Sequence, residues 1–303
     1  MKPFLKWAGG KSQLLPYIAE YYPFENYKFK KYAEPFIGGG AVLFDILGKY
    51  NDLDAVYISD INPNLINTYQ SIKKYVDDVI YQLLKYQEKF WILEQEERKE
   101  LFYRNRDRFN ELTEVNFINH INVKKLTKQN VELAALFIFL NRTCFNGLYR
   151  VNKKGLFNVP IGSYKKPLIC DGANLKSVSR GLQKVTIVND TYKAVESFVD
   201  DKTFVYIDPP YRPLSDTANF TSYTQHEFDD CAQIELGLFA ESLSKKGARI
   251  LLSNSDPKNT NPDDDFFDLL YKNFKIERIE ATRAINSVSS KRGKVSELLI
   301  SSR

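Results

Sequence analysis

Histidine and cysteine are scarce in this chain, and their scarcity removes several kinds of chemistry at once. The only histidines among 303 residues are His120 and His226, and neither stands in a His-x-x-Glu-His spacing. Histidine-built metal centres and serine–histidine–aspartate hydrolysis are therefore poorly supplied. Cys144, Cys170 and Cys231 are odd in number and form no Cys-x-x-Cys pair. They argue against a disulfide frame and a zinc site, and they suit a reducing compartment. No metal is expected. Met1-Lys2-Pro3-Phe4-Leu5-Lys6 has no apolar run, and no apolar stretch reaches 18 residues anywhere. Neither a secretory leader nor a membrane span is read, so the expectation is a soluble, cytoplasmic protein with no membrane partner.

What is present is a globular composition, 43% apolar and 27% charged, on a chain long enough for about two domains. The 19 tyrosines and 21 phenylalanines suit a protein that stacks on rings, and equally the codon bias of an AT-rich genome. Net charge is a modest +5, but its placement is uneven. Residues 137–185 carry Arg142, Arg150, Lys153, Lys154, Lys165, Lys166, Lys176, Arg180 and Lys184 against Asp171 alone, so the rest of the chain is net acidic. A basic region on an otherwise acidic protein fits phosphate-backbone binding. A solvated loop region reads the same way by charge alone.

Near the start, Trp7-Ala8-Gly9-Gly10-Lys11-Ser12 ends in a Gly-Lys-Ser. A phosphate-binding loop needs a glycine five positions before the second one, after a strand. That position is Leu5, and too few residues precede it for a strand. The nucleotide-triphosphate reading fails there. Leu14, Leu15 and Ile18 suggest a helix starting near Lys11.

Farther on, Tyr32 to Phe36 leads into Ile37-Gly38-Gly39-Gly40, a helical pattern from Val42 to Leu47, and the apolar run Ala55-Val56-Tyr57-Ile58-Ser59-Asp60. This is a strand, glycine turn, helix, strand unit. Residues 64 to about 145 are long, charged and helical in pattern. Residues 141–167 turn to Asn, Gly, Pro and Lys, as in a hairpin or ordered loop. Strand–helix alternation returns at Val185–Val188, Thr203–Ile207, 227–245 and Ala248–Ser253. The tail reads as two antiparallel strands, Lys275–Ile285 and Val295–Ser301, around the loop Asn286–Lys294. The fold class is α/β, a mixed sheet interrupted by a helical, basic insertion.

Ligands of open α/β sheets bind beyond the carboxyl ends of the strands. Gly38 to Gly40 are placed there, and glycine admits close backbone approach. Asp60 lies 22 residues after Gly38, where an acid can accept hydrogen bonds from ribose hydroxyls. No third glycine follows for a pyrophosphate, which disfavours NAD and fits a phosphate-free nucleoside such as S-adenosylmethionine.

The sharpest signal is Asp208-Pro209-Pro210-Tyr211, straight after the strand Thr203–Ile207. Two prolines make a stiff loop and remove two backbone donors. The exocyclic amine of adenine is a poor nucleophile because its lone pair is delocalised. Accepting its two N–H groups at the Asp208 carboxylate and the Pro209 carbonyl restores nucleophilicity, and Tyr211 can stack on the base.

Taken in order, Phe4–Lys11, Glu34–Gly40, Asp60-Ile61-Asn62, the insertion and Asp208–Tyr211 resemble the Dam-type DNA adenine methyltransferases, the alpha (D12) class of S-adenosylmethionine-dependent N6-adenine enzymes. The resemblance spans nearly the whole chain. It implies a Rossmann-like sheet of the S-adenosylmethionine-dependent methyltransferase type. It divides the chain into a discontinuous catalytic domain, residues 1–63 plus 168–303, and a target-recognition insertion, residues 64–167. It carries over Trp7, Lys11, Phe36, Gly38, Gly40, Asp60 and Asp208 as cofactor contacts, and Asp208, Pro209, Pro210 and Tyr211 as the catalytic turn. Lys6 matches a DNA-contacting lysine. Asn141-Arg142, Phe145–Arg150 and Phe157–Tyr164 resemble the recognition hairpin of enzymes that methylate GATC. By that match Arg150 takes a guanine through its forked donors. Leu148 and Pro160 touch bases by shape, Phe145 and Asn146 fill or wedge the site of a flipped-out adenine, and Tyr164 touches the outer pair. Thr217-Ala218-Asn219-Phe220 and Ser222-Tyr223 also follow the family, whereas the charged stretch 85–130 is longer than its pattern.

Double-stranded DNA is thus the expected substrate and S-adenosylmethionine the expected cofactor, with a restriction endonuclease as a possible functional partner. Three alternatives stay open at this stage. One is a longer site beginning with GAT. Another is a protein-glutamine methyltransferase, for which Asn would be expected at 208. The third is an inactive binding module, against which Asp60, Asp208 and Tyr211 argue.

Overall fold

A computed structural model of the chain describes residues 1–26, 28–118, 126–212, 228–282 and 294–302. Both histidines, the segment 217–223 and the loop 286–293 lie outside the described residues.

The chain enters through a 3₁₀ turn, Lys11–Gln13, and the short helix α1, Leu15–Ala19. The helix read from Lys11 thus starts tight and becomes α only after Leu14. Strand β1, Lys31–Glu34, leads through the glycine turn into α2, Ala41–Lys49, and then β2, Ala55–Asp60. Asn62 caps the next helix by accepting from the Asn64 and Leu65 N–H groups, and Pro63 supplies a first-turn residue that needs no donor. That helix, α3, runs Pro63–Ile92 with a break at Tyr75. Helices α4, Gln95–Ile118, and α5, Lys128–Thr143, complete the helical stretch. Thr127 and Asn130 form a reciprocal capping box at the start of α5.

Residues 144–161 return as a hairpin-like loop closed by antiparallel bridges Cys144 to Ile161 and Val151 to Phe157. Helix α6, Gly172–Leu182, is one the pattern reading passed over. Strands β3, Val185–Asn189, and β4, Thr203–Ile207, follow, then α7, Asp230–Lys245, and β5, Arg249–Ser255. Helix α8, Phe266–Leu270, precedes β6, Lys275–Thr282, and β7, Lys294–Ser301.

The seven strands form one sheet in the order β3-β2-β1-β4-β5-β7-β6. β7 is antiparallel to both neighbours, while β3, β2, β1, β4 and β5 run parallel. The chain winds one way from β1 to β2 and β3 and the other way from β4 to β5. The switch point therefore lies between β1 and β4, where an open sheet leaves its ligand crevice. Strand β4 is buried at every residue, as a central parallel strand covered on both faces must be. One face packs Tyr32, Phe204 and Leu251 with the side chains of α2, α3 and α5. The other packs Val205, Ile207 and Leu252 against Leu236, Ala240 and Leu243 of α7.

Candidate active site

The turn after β1 and the acid after β2 meet at the carboxyl edge of the sheet. Gly38 and Gly40 have φ of +45° and +71°. A Cβ at Gly40 would lie 2.5 Å from the Tyr69 hydroxyl, and one at Gly38 would lie 2.9 Å from the Trp7 indole. The close approach these glycines permit is thus made first by rings of this chain. Tyr69 donates to the Gly38 carbonyl at 3.1 Å. The Gly38 N–H donates to Asp60 Oδ2 at 3.2 Å, and the Asn62 N–H to Asp60 Oδ1 at 2.9 Å. Burial pushes the Asp60 carboxyl up to about 6, with those N–H groups pulling the other way. Phe36 stacks on Tyr192 with ring centroids 5.4 Å apart.

Asp208 follows β4 directly, next to that turn. Its Oδ1 lies 2.6 Å from Lys11 Nζ and accepts from Ser253 Oγ at 3.0 Å. Lys11 is 4% exposed, donates to the Gly9 carbonyl at 2.8 Å, and sits 4.8 Å over the Tyr211 ring. The lysine of the Gly-Lys-Ser therefore serves a carboxylate rather than a phosphate loop. Tyr211 donates to Glu297 Oε2 of β7 at 2.8 Å, which fixes its ring beside the carboxylate. The Pro210 carbonyl accepts from Gln233 at 3.0 Å. Among the described residues no hydrogen bond reaches Asp208 Oδ2 or the Pro209 carbonyl. Arg212 closes the turn with a two-pronged pair to Asp230, at 2.6 and 2.9 Å, and a further contact to Asp264 at 2.6 Å.

A second carboxyl lies beneath this cluster. Glu34, 3% exposed at the end of β1, accepts from Tyr32 at 2.6 Å. Burial first, and then the nearby Asp208 charge, push it up to about 8, against the pull of that hydrogen bond and of Lys11. Burial thus favours the neutral form of Glu34 beneath the Lys11–Asp208 ion pair.

The N-terminal segment ties this edge to the hairpin. The Lys6 N–H donates to Asn141 Oδ1, and Asn141 Nδ2 donates to the carbonyls of Lys6 and Gly147, each at 2.8 Å. Lys6 Nζ donates to the Tyr164 hydroxyl at 3.2 Å and lies 4.4 Å over its ring. Trp7 stacks on Tyr149 at 5.7 Å. Hairpin residues Phe145, Asn146, Arg150 and Pro160 are exposed, and Leu148 and Tyr164 half-buried. Asn146 has φ +55°, the one positive φ outside glycine among the described residues. Arg150 Nε donates to Asn158 Oδ1 at 2.8 Å, which aims the guanidinium while leaving Nη1 unbonded among the described residues.

One member of the basic region behaves differently from the charge reading. Arg142 is half-buried and donates to the Phe4 carbonyl at 2.8 Å, so it fastens the N-terminus instead of facing a phosphate. Lys154, Lys165 and Lys166 are exposed on the hairpin side.

Sequence reasoning gave no role to the residues that hold these groups: Asn110, whose amide brackets the Phe157 backbone at 2.9 and 3.2 Å, and Glu34, Gln233, Ser253 and Glu297 around the turn 208–211. Buried polar residues in apolar strands were the available signal, visible at Ser253-Asn254 inside β5. Among the described residues no group of His, Cys, Asp and Glu is placed to hold a metal, and no helix is long and apolar enough to cross a membrane.

Known proteins match this sequence along nearly its whole length. The family model of the D12 class N6 adenine-specific DNA methyltransferase matches residues 7–285. The type II methyltransferase M.MjaIII of Methanocaldococcus jannaschii is 48% identical over 99% of this chain and 98% of its own length. The DNA adenine methylase of Vibrio cholerae is 34% identical over 98% of this chain and 95% of its own. That of Escherichia coli K12 is 33% identical, over 98% and 94%.

Proposed function

This chain belongs to the D12 class of N6 adenine-specific DNA methyltransferases, and we propose that it transfers the methyl group of S-adenosylmethionine to the adenine of duplex GATC. The observation that carries the reading is the pair of acceptors at the turn, Asp208 Oδ2 and the Pro209 carbonyl, which accept no hydrogen bond among the described residues and lie at the β1–β4 switch point.

The residues at that crevice suit an adenosine-type methyl donor. Asp60 presents a carboxylate already held at both oxygens by backbone N–H groups, aimed for two ribose hydroxyls. Ile61 beside it is 47% exposed, an apolar face for a purine that sequence reasoning did not single out. Trp7, Phe36, Gly38 and Gly40 line the same edge, and Asp208 with Lys11 closes it. When bound, S-adenosylmethionine supplies a methyl group on a positively charged sulfur. This chain's residues do the rest. Asp208 Oδ2 and the Pro209 carbonyl accept the two N–H groups of the adenine amine, which concentrates its lone pair on nitrogen. Tyr211, held by Glu297, offers a ring for the base. Orientation and electrostatics then carry the step, without a covalent enzyme intermediate.

Residues 64–167 serve as the target-recognition insertion, and residues 1–63 plus 168–303 as the catalytic domain. The adenine leaves the duplex to reach the turn, since an amine inside the stack is out of reach. Arg150 reads a guanine, Leu148, Pro160 and Tyr164 contact neighbouring bases, Phe145 and Asn146 occupy the vacated space, and Lys6 contacts the strand. The 33–34% identity to DNA adenine methylases supports GATC, while the higher identity to a type II methyltransferase supports pairing with a restriction endonuclease of the same site. The test is methyl incorporation into duplexes carrying GATC, GATG or GTTC. Incorporation confined to GATC supports the reading, and equal incorporation into GATG assigns a shorter or different site.

A further inference from the structure

The turn Asp208–Pro210 offers more acceptors than an amine with two protons needs, and two buried chains of hydrogen bonds occupy the surplus. We propose that Ser253 and Gln233 are positioning residues of the methyl-transfer step, each tying up one acceptor so that Asp208 Oδ2 and the Pro209 carbonyl alone face the amine. The inference rests on the reading of residues 208–211 as the catalytic turn.

On one face of β5, Ser253 is fully buried, donates to Asp208 Oδ1 at 3.0 Å and meets the Tyr206 hydroxyl at 2.9 Å. A carboxylate only accepts, so the Ser253 proton goes to Asp208, and the Tyr206 proton then goes to Ser253. The direction of this relay is fixed. With Lys11 on the same oxygen, Oδ1 is engaged from two sides and the carboxylate cannot rotate without losing both.

On the other face, the next residue starts a second relay whose direction is fixed as well. The Ser255 N–H donates to Asn254 Oδ1 at 2.9 Å, so Asn254 presents its NH₂ to Gln233 Oε1, at 3.1 Å. Gln233 in turn presents its NH₂ to the Pro210 carbonyl, which can only accept, at 3.0 Å. Gln233 and Asn254 are both 0% exposed. Neighbouring strand residues point to opposite faces, so Ser253 and Asn254 brace one turn from both sides of the sheet. Buried polar groups in an interior strand are costly unless hydrogen-bonded, and the chains from Ser253 and Asn254 both end on the turn.

The experiment is single-turnover methyl transfer at saturating DNA and S-adenosylmethionine, with both dissociation constants measured separately. The variants are Ser253→Ala, Ser253→Thr, Tyr206→Phe and Gln233→Met, with Asp208→Ala alongside. A hydrogen bond to a charged group sets the scale, and Ser253→Ala is expected to slow transfer about tenfold. Gln233→Met follows with a similar loss and Tyr206→Phe with a few-fold loss, both dissociation constants staying within about twofold. Ser253→Thr, which keeps the hydroxyl, restores most of the rate. Rates of the Ala, Phe and Met variants close to wild type overturn the inference, as does a loss that appears only in the dissociation constants, or a Thr variant as slow as Ala. Should Ser253→Ala fail to fold, Tyr206→Phe removes one hydroxyl at nearly constant volume and carries the test. An active Asp208→Ala sinks the reading of the turn itself; a dead Asp208→Ala with silent brace variants sinks only the positioning roles.

Discussion

Lys11 Nζ and Asp208 Oδ1 stand 2.6 Å apart, joining the first motif of the chain to the turn after β4. Five residues upstream, Lys6 and Asn141 lock the same segment to the hairpin, and Trp7 stacks on Tyr149 within it. Residues 6–11 therefore form a strut with one end on the proposed base readers and the other on the proposed catalytic carboxylate.

Asp60 should couple cofactor binding to pH. Its carboxyl is raised to about 6 by burial, so it becomes protonated as pH falls below that value. A protonated group loses an acceptor for the ribose hydroxyls. S-adenosylmethionine affinity is expected to fall between pH 7 and pH 5, and Asp60→Asn to bind about tenfold more weakly at pH 7 with little pH dependence. Calorimetric titration at three pH values checks both.

Glu34 should make the fold itself sensitive to base. Its folded value of about 8 lies above its ordinary 4.5, so the native state holds a proton that the unfolded chain releases. The associated stability is full below about 4.5 and is lost as pH rises toward 8, by up to about 1.4 kcal/mol per pH unit. Glu34→Gln keeps the shape without the titration. Its melting temperature should drop less than wild type between pH 5 and pH 8, and parallel melting curves would remove Glu34 as the cause.

Arg150 should matter for choice of site more than for grip. Asn158 holds its Nε and, at 3.5 Å, its Nη2, so the guanidinium is aimed with Nη1 unbonded among the described residues and takes a guanine edge by giving up Asn158. Arg150→Ala is expected to cost about 1–3 kcal/mol of discrimination at one base pair. Lys165→Ala, on an exposed backbone-facing candidate, should weaken matched and mismatched duplexes alike and reduce the salt dependence. Competition binding with matched and singly mismatched duplexes separates the two.

Much of this was legible in the residues. The strand positions, the turn glycines, Asp60 and Asp208–Tyr211 follow local rules, because period-2 burial, left-handed turns and proline stiffness are written in short windows. Three things were not. Arg142 counts as a basic charge in any composition, and only the fold shows it fastening Phe4. Helix α6 has strong amphipathic character in the fold, but its Asn, Gly and Ser content hides it locally. The braces Ser253, Gln233 and Glu297 act across 45, 23 and 86 residues of sequence, and no window holds both partners.

The central claim concerns the carboxylate at 208, and transfer of labelled methyl groups to a GATC duplex by Asp208→Ala tests it most directly. The account expects incorporation to fall at least about a thousandfold, the scale of losing a principal electrostatic contact, with duplex affinity retained. Incorporation near the wild-type rate in that variant would contradict it.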